Sequence, residues 1–438
     1  MRAPSRAAAD APAEIIDLAH DGRGIARING KVTFIAGALP GERVRFHLTR
    51  HGRQADEGEC RVIEQESRDR VTPRCPHFGV CGGCTLQHLS TAAQVAFKQK
   101  QMLDALERIG KVRPAELAPA VTGPEWGYRR RARLSVYLSP DSGVRIGFRE
   151  KESPFTAQLQ SCDVLDERVG RKLVALARCI ERLNPRTRVS QIEVAAADMV
   201  VLVFRVMAAP TSEDLEILKD FGQREGFEIL LQTGGPETIY ALTPPASALA
   251  YSPDGSELQL GFRPLDFIQV NGAVNQLMVR QALDWLDLQP GERVLELFSG
   301  LGNFSLPLAR AGARVTAVES EASLIEKARE NARDMNLDIR FEKADLFKPD
   351  PAPGWLREKY DAVLLDPPRA GARAVLPHVG ARKPARILYV SCHPGTLARD
   401  AACLVHEQGY SLKRAGILDM FPHTAHVESM ALFVKSEA

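Results

Sequence analysis

The chain reads as an α/β protein in three parts: a small N-terminal β-barrel, an α+β middle and a C-terminal Rossmann-like sheet. Two observations predict it. From about Asn271 onward, strand-like and helix-like runs alternate regularly, the mark of βαβ units. Before Arg70 the runs are short, β-rich and broken by glycine turns. With 438 residues, 45% hydrophobic and 26% charged, the chain has material for several ordinary cores. A formal net charge of +2 means that nucleic-acid binding must come from local patches. No apolar run approaches a bilayer span, so no membrane association is expected.

Met1–Ala13 is mostly Ala, Pro and Arg and lacks the apolar centre of a signal peptide. A disordered tail on a cytoplasmic protein is expected. Residues 14–72 should form the barrel. Ile25–Ile28, Lys31–Ile35 and Arg43–Leu48 are strand-like, and Asn29-Gly30 between the first two is a hairpin signal. Four Arg and two His without an acid lie between Arg43 and Ala55. That run suits either RNA phosphates or a solvated sheet edge.

Residues 73–265 form the predicted middle. Thr91–Gly110 reads as a helix, with Val95, Met102, Leu103, Leu106 and Ile109 on one stripe. Ala132–Leu138 and Val144–Arg149 flank Ser139-Pro-Asp-Ser-Gly143 as a hairpin, and Val200–Met207 reads as a buried strand. Tyr128-Arg-Arg-Arg-Ala-Arg133 offers four cations beside an aromatic ring, able to contact phosphates and stack on bases or to line a solvated strand face.

Eight cysteines stand at 60, 75, 81, 84, 162, 179, 392 and 403. Uneven spacing and no secretion signal point to a reducing compartment, where clustered thiols bind metal or do chemistry. Cys75-x5-Cys81-x2-Cys84, with two intervening glycines, fits iron–sulfur ligation with a distant fourth Cys. Zinc with His77 or His88 is the competing reading.

Residues 266–438 form the predicted α/β domain, with strands at 293–298, 314–319, 338–342, 360–366, 386–392, 411–418 and 427–434. Ile325, Ala328, Ala332 and Met335 mark a helix between the second and third of these. Ligands collect at the carboxyl ends of parallel strands. There the first strand leads into Ser-Gly300-Leu-Gly302-Asn303, the second ends at Glu319, and Asp345 follows the third. The next two end at Asp366-Pro-Pro-Arg369 and at Cys392-His-Pro394. A third glycine, needed for a dinucleotide fingerprint, is missing. The Gly loop and the two acids resemble the S-adenosylmethionine site of class I methyltransferases, where Glu319 would meet the ribose and Asp345 the adenine; a nicotinamide enzyme is the alternative.

Asp366-Pro-Pro-Arg-Ala-Gly371, Ser391-Cys392-His-Pro394, His426-Val-Glu428-Ser-Met430 and Phe267-Ile-Gln269-Val-Asn271 resemble, in order, the signature blocks of the RNA (uracil-5-)-methyltransferase family. The resemblance covers essentially the whole chain. It departs at Ser299, where the family often has Cys, and at Pro368, where some members have Ala. It implies a class I methyltransferase domain that uses S-adenosylmethionine, a TRAM-like RNA-binding barrel, and a central iron–sulfur domain. Cys392 would be the nucleophile and Glu428 the base. Gln269, Phe298, Gly300, Asn303, Glu319 and Asp345 would line the donor, with Asp366 between donor and target base. Cys75, Cys81, Cys84 and Cys162 would hold a [4Fe–4S] cluster, and the 91–110 helix would pack on the catalytic domain. Roles for His423, His426 and Arg369 stay open. Barrel and cluster together resemble the 23S ribosomal RNA branch, and a monomer is expected. Another RNA uridine as target, or an inactive metal-containing RNA-binding protein, remain the alternatives.

Overall fold

The computed structural model describes residues 10–139, 143–244, 248–349 and 354–436. They fall into two compact units. The first reaches to Lys98 and takes in Glu150–Ser153 and Pro422–His426. The second holds Gln99–Arg149, Pro154–Phe421 and the chain from Val427 onward.

The first unit is built on six strands: β1 (Ala11–Glu14), β2 (Asp17–Leu18), β3 (Gly24–Ile28), β4 (Lys31–Ala36), β5 (Arg43–Arg50) and β6 (Ala55–Gln65). They are ordered β1-β5-β6-β4-β3-β2 in one sheet. Asn29 and Gly30 join β3 to β4 with φ of 50° and 82°. Both central residues are left-handed, as a type I′ hairpin turn requires. Val44 and Phe46 of β5 point inward onto Ile15, Ala26 and Ile35, while Arg43 and Arg45 alternate outward. Ala11–Ala13, read from sequence as tail, instead belong to a strand that pairs antiparallel with β5. That strand carries no β-branched or aromatic residue to announce it, and its proline is tolerated because it lies on a sheet edge. The rest of the expected tail, residues 1–9, lies outside the described residues.

Helix α1 (Thr91–Ala105) runs into a single π-turn, Leu106–Gly110. The wider turn breaks the expected stripe: Met102 and Leu106 are buried, but Ile109 is 57% exposed. In the second unit β7 (Glu116–Leu117) is followed by β8 (Arg131–Ser139) and β9 (Gly143–Gly147). Then come α2 (Glu167–Gly170), α3 (Leu173–Glu181), β10 (Val189–Ala196), β11 (Val200–Val206), α4 (Ser212–Glu225), β12 (Glu228–Gln232) and β13 (Ile239–Ala241). The middle sheet has the order β13-β12-β11-β10-β8-β9. β8 and β9 pair antiparallel as the hairpin reading required, though its tip, residues 140–142, lies outside the described residues. A short pair, β14 (Ala250–Tyr251) and β15 (Leu260–Gly261), leads to α5 (Gly272–Leu286).

The last sheet positions the site. It takes β16 (Arg293–Leu297), β17 (Arg314–Glu319), β18 (Ile339–Lys343), β19 (Ala362–Leu365), β20 (Arg386–Ser391), β21 (Tyr410–Leu418) and β22 (Glu428–Lys435). Their order is β18-β17-β16-β19-β20-β22-β21, with β7 at the far edge. β16 to β20 are parallel, and β22 lies antiparallel between β20 and β21. Connecting helices are α6 (Ser305–Arg310), α7 (Ala322–Asp334), α8 (Leu376–Ala381) and α9 (Pro394–Ala402). The order reverses at β16, whose neighbours are β17 and β19, and a crevice for ligand opens at such a switch point. The π-turn at Leu106–Gly110 packs on α9: a Cβ on Gly110 would lie 2.6 Å from the Ala398 carbonyl, so only glycine permits the approach.

Candidate active site

Around the Gly loop, backbone strain and hydrogen bonds shape a concave seat. Phe298 leaves β16 with φ of 64°, a left-handed conformation unusual for an aromatic residue. Its N–H and that of Ser299 both donate to the Val318 carbonyl, at 3.0 and 3.2 Å, which folds the loop over the end of β17. Gly302 has φ of 94°, and a Cβ there would lie 2.5 Å from Leu306 Cδ1. Glu319 Oε2 accepts the Gly300 N–H at 3.1 Å. Its Oε1 accepts from Ser320 N, Ser320 Oγ and Glu321 N at 2.6, 2.9 and 3.1 Å. The carboxylate is thereby fixed in place with capacity left mainly on Oε2. Asp345 Oδ1 accepts the Phe347 N–H at 2.9 Å.

The structure adds residues that sequence reasoning missed. Phe347 is 47% exposed and its ring stands 5.8 Å from that of Phe298 at 55°. Two such faces suit a planar heterocycle. Asn303 exchanges two amide hydrogen bonds with Asn275, both at 3.0 Å, and accepts the Tyr251 hydroxyl at 3.0 Å. Glu296 lies within β16, is 1% exposed and accepts a hydrogen bond from Ser305 Oγ. Its signal was readable: one acid in an otherwise apolar strand, Arg293-Val-Leu-Glu-Leu297.

Burial pushes the Glu296 carboxyl up to about 8; the Ser305 hydrogen bond opposes the rise, and the charges of Asp366 and Glu319 add to it. Its ordinary value is 4.5, so between pH 4.5 and 8 the folded chain holds a proton that the unfolded chain releases. Stability therefore falls as pH rises through that window. Glu296→Gln should make the donor-free protein more stable than the parent above pH 8, by a few kcal/mol in order of magnitude. The difference should vanish near pH 4. Thermal melts across this range check it, and parallel curves for the two proteins would contradict the burial argument.

Cys392 follows β20, and Glu428 opens β22. The register pairs Ser391 with Ser429, so Cys392 and Glu428 each adjoin the last pair of the ladder, and the Glu428 charge acts on the Cys392 thiol. Cys392 also precedes α9, which His393 caps by accepting the Thr396 N–H at 3.2 Å, with Pro394 in the first turn. A helix N-terminus favours a thiolate. Against this, burial pushes the Cys392 thiol up to about 11, and the charges of Glu428 and Asp366 push the same way while Arg369 opposes them. Glu428 is 4% exposed and burial holds its carboxyl well above the usual range, with Asp366 adding to the rise and Arg369 opposing it. Burial lifts Asp366 to about 7. Thiol, two carboxyls and a guanidinium thus form one electrostatic unit at the carboxyl ends of β19 and β20.

His423 has a structural place in the first unit. Its carbonyl accepts the N–H groups of Thr85 and Leu86, both at 2.9 Å, and its N–H donates to Gln94 Oε1 at 2.8 Å. The arginine run is held internally. Arg131 and Arg133 both pair with Glu193, and Arg129 lies over Phe148 with its Nε on the Arg131 carbonyl. Arg130 donates to the Gln269 carbonyl at 2.8 Å. On the basic run of the first unit, Arg45, His47, Arg50 and His51 face acids, whereas Arg43 and Arg53 are exposed.

Among the described residues no group of three or more His, Cys, Asp or Glu is arranged to hold a metal ion. The local chemistry of the thiols nevertheless suits a soft metal. Gly83 N–H lies 3.4 Å from Cys81 Sγ, and Cys75 is near enough for its charge to act on Cys81. Cys162 is buried in the second unit, where its N–H donates to the Gly170 carbonyl at 2.9 Å. His88 is 3% exposed with neither ring nitrogen hydrogen-bonded, and burial lowers it to about 4.

Comparison with known proteins identifies the class. The family model described as tRNA (Uracil-5-)-methyltransferase matches residues 94–341 and 356–436, and a TRAM domain model matches 11–58. The chain belongs to the RNA (uracil-5-)-methyltransferase family. Among its relatives are proteins named 23S rRNA (uracil(1939)-C(5))-methyltransferase RlmD. The one from Alkalilimnicola ehrlichii is 49% identical over 423 residues, covering 96% of this chain and 95% of the relative. That from Xanthomonas campestris pv. campestris is 47% identical, covering 96% of each, and that from Nitrosospira multiformis 46%, covering 97% and 99%. The crystal structure of Pyrococcus abyssi tRNA (uracil-54, C5)-methyltransferase with S-adenosyl-L-homocysteine is similar throughout. Its TM-score is 0.74 at 26% identity, covering 97% of this chain and 99% of that one.

Glu319→Ala should weaken methyl-donor binding by about 1.5–3 kcal/mol, because bonds to an ionised acceptor are lost. It should also free the Gly300 loop. Calorimetry with donor and with RNA separates the outcomes: equal weakening of both would mean misfolding and not a lost donor contact.

Proposed function

We propose that the chain transfers the methyl group of S-adenosylmethionine to C5 of one uridine in 23S ribosomal RNA, in the cytoplasm, through a covalent adduct of Cys392 with C6. The coupling of the Cys392 thiol to Glu428 and Asp366, at the end of the β20–β22 ladder, carries this reading. The relatives' names supply the substrate class.

Uracil is electron-poor at C6 and unreactive at C5. The Cys392 thiolate adds to C6, and the resulting enolate makes C5 nucleophilic. S-adenosylmethionine, when bound, supplies an electrophilic methyl on a cationic sulfur. Asp366, electrostatically coupled to Cys392, gives its own proton to solvent when positive charge enters the site and, as the carboxylate, receives the thiol proton. Glu428 must first lose the proton that burial holds on it; as the carboxylate, favoured by the charge of Arg369, it removes the C5 proton so that the thiolate can leave. Its burial keeps water from competing for that proton. Gln269, Asn303, Glu319 and Asp345 hold the donor, with Phe298 and Phe347 against its adenine. The target base must be unstacked to reach Cys392, and the exposed Arg43 and Arg53 of the TRAM domain offer phosphate contacts. The reading is tested by mapping 5-methyluridine in 23S RNA from cells lacking this protein. One uridine should lose its methyl group, and an unchanged map would overturn the assignment.

Cys75, Cys81, Cys84 and Cys162 are proposed to take up a [4Fe–4S] cluster. Protein purified without oxygen should then be brown, with iron and sulfide near four each per chain. Replacing any of the four should bleach it. Colourless protein with one zinc would refute the cluster, and full colour after Cys162→Ala would remove that ligand.

A further inference from the structure

Arg130 is tied to two of the residues assigned to the donor. Its Nε donates to the Gln269 carbonyl at 2.8 Å, and its guanidinium lies 4.0 Å from the centroid of the Tyr251 ring. The Tyr251 hydroxyl in turn donates to Asn303 Oδ1 at 3.0 Å. Gly272 makes room: a Cβ there would lie 3.2 Å from Arg130 Nη1. The stem is fixed, yet the far end is unmet. Nη2 is buried without a hydrogen-bond partner, and among the described residues no carboxylate forms an ion pair with Arg130. Its neighbours Arg131 and Arg133 share Glu193; of the other two, Arg129 lies over Phe148 and on the Arg131 carbonyl, and Arg130 has the buried nitrogen without a hydrogen-bond partner. A buried charge needs a partner or it destabilises the fold.

We propose that Arg130 receives the carboxylate of S-adenosylmethionine and so anchors the amino-acid end of the donor. This rests on the methyl-donor reading above. The donor carries one anion and two cations. Glu296, Glu319 and Asp366, whose charges act on one another, provide an acidic side suited to the cations. Arg130 provides the complementary charge beside Gln269 and Asn303. A phosphate of polymeric RNA remains at the protein surface in water, whereas the unmet Nη2 is buried, so the small ligand's carboxylate fits better.

Calorimetry on the full chain decides it, using S-adenosylmethionine and its decarboxylated analogue, which lacks only the carboxylate. The parent should bind the analogue about 10- to 100-fold more weakly, the scale of a charged hydrogen bond in a buried site. R130Q should lose a similar factor for S-adenosylmethionine and bind the analogue as the parent does. R130K should recover part of the loss for S-adenosylmethionine alone. Equal weakening of both ligands by R130Q would make Arg130 a positioning residue and overturn the proposal. So would intact donor affinity with a raised KM for RNA. If R130Q does not fold, equal affinity of the parent for the two ligands sinks the proposal, and a loss confined to the acid form in R130K sustains it. A parent that binds neither ligand would refute the donor site itself, a distinguishable failure.

Discussion

Cys392→Ser is expected to lower methyl transfer roughly 10⁴-fold or more while leaving donor affinity unchanged, because the thiolate is needed only to attack C6. The separation follows from the fold. Cys392 lies beyond β20, whereas Phe298, Gly300, Asn303 and Glu319, proposed to line the donor, sit on and after β16 and β17. A serine hydroxyl is nearly isosteric but far less acidic. Burial and two neighbouring carboxyls already hold the cysteine thiol up at about 11, and the same surroundings leave a hydroxyl un-ionised. Single-turnover assays with labelled donor, beside calorimetry, check both halves. Appreciable turnover by the serine variant would remove Cys392 as the nucleophile.

Glu428→Gln should have the second-largest effect, of a different kind. Attack and methyl transfer still occur, but the C5 proton has no acceptor and elimination slows by about 10²–10⁴-fold. Methylated RNA should stay bound to Cys392 and survive denaturing gels. The amide keeps the size of the carboxyl and removes a buried acid whose proton is already strongly held, so folding should be little affected. Parent-like turnover would exclude Glu428 as the base. The histidine at 423, an open candidate by sequence, has its backbone committed to Thr85, Leu86 and Gln94.

Much of this site was legible because strand ends are written plainly. Arg293–Leu297, Ala362–Leu365 and Arg386–Ser391 are apolar runs that stop at polar residues, and parallel topology gathers those stops at one rim. Pairing between β20 and β22 was not legible. It places Glu428 beside Cys392 through an antiparallel strand inserted between two others, a long-range choice that no local pattern encodes. The arginines of the run were not legible in their partners either. Which of them face Glu193, Phe148 or Gln269 depends on tertiary partners far along the chain. Phe347 and Asn275 were missed for the same reason: each gains meaning only from a ring or amide brought against it by the fold. The π-turn that exposes Ile109 likewise depends on Gly110 backing onto Ala398, not on helix periodicity.

Covalent catalysis by Cys392 is tested most directly with a 23S RNA fragment carrying 5-fluorouridine, incubated with S-adenosylmethionine. Fluorine cannot leave as a cation, so elimination is blocked after methyl transfer. A denaturation-resistant protein–RNA adduct should form in stoichiometric yield, and peptide mass spectrometry should place a methylated fluorouridine on Cys392. No adduct, or one mapped to a different residue, would contradict the account.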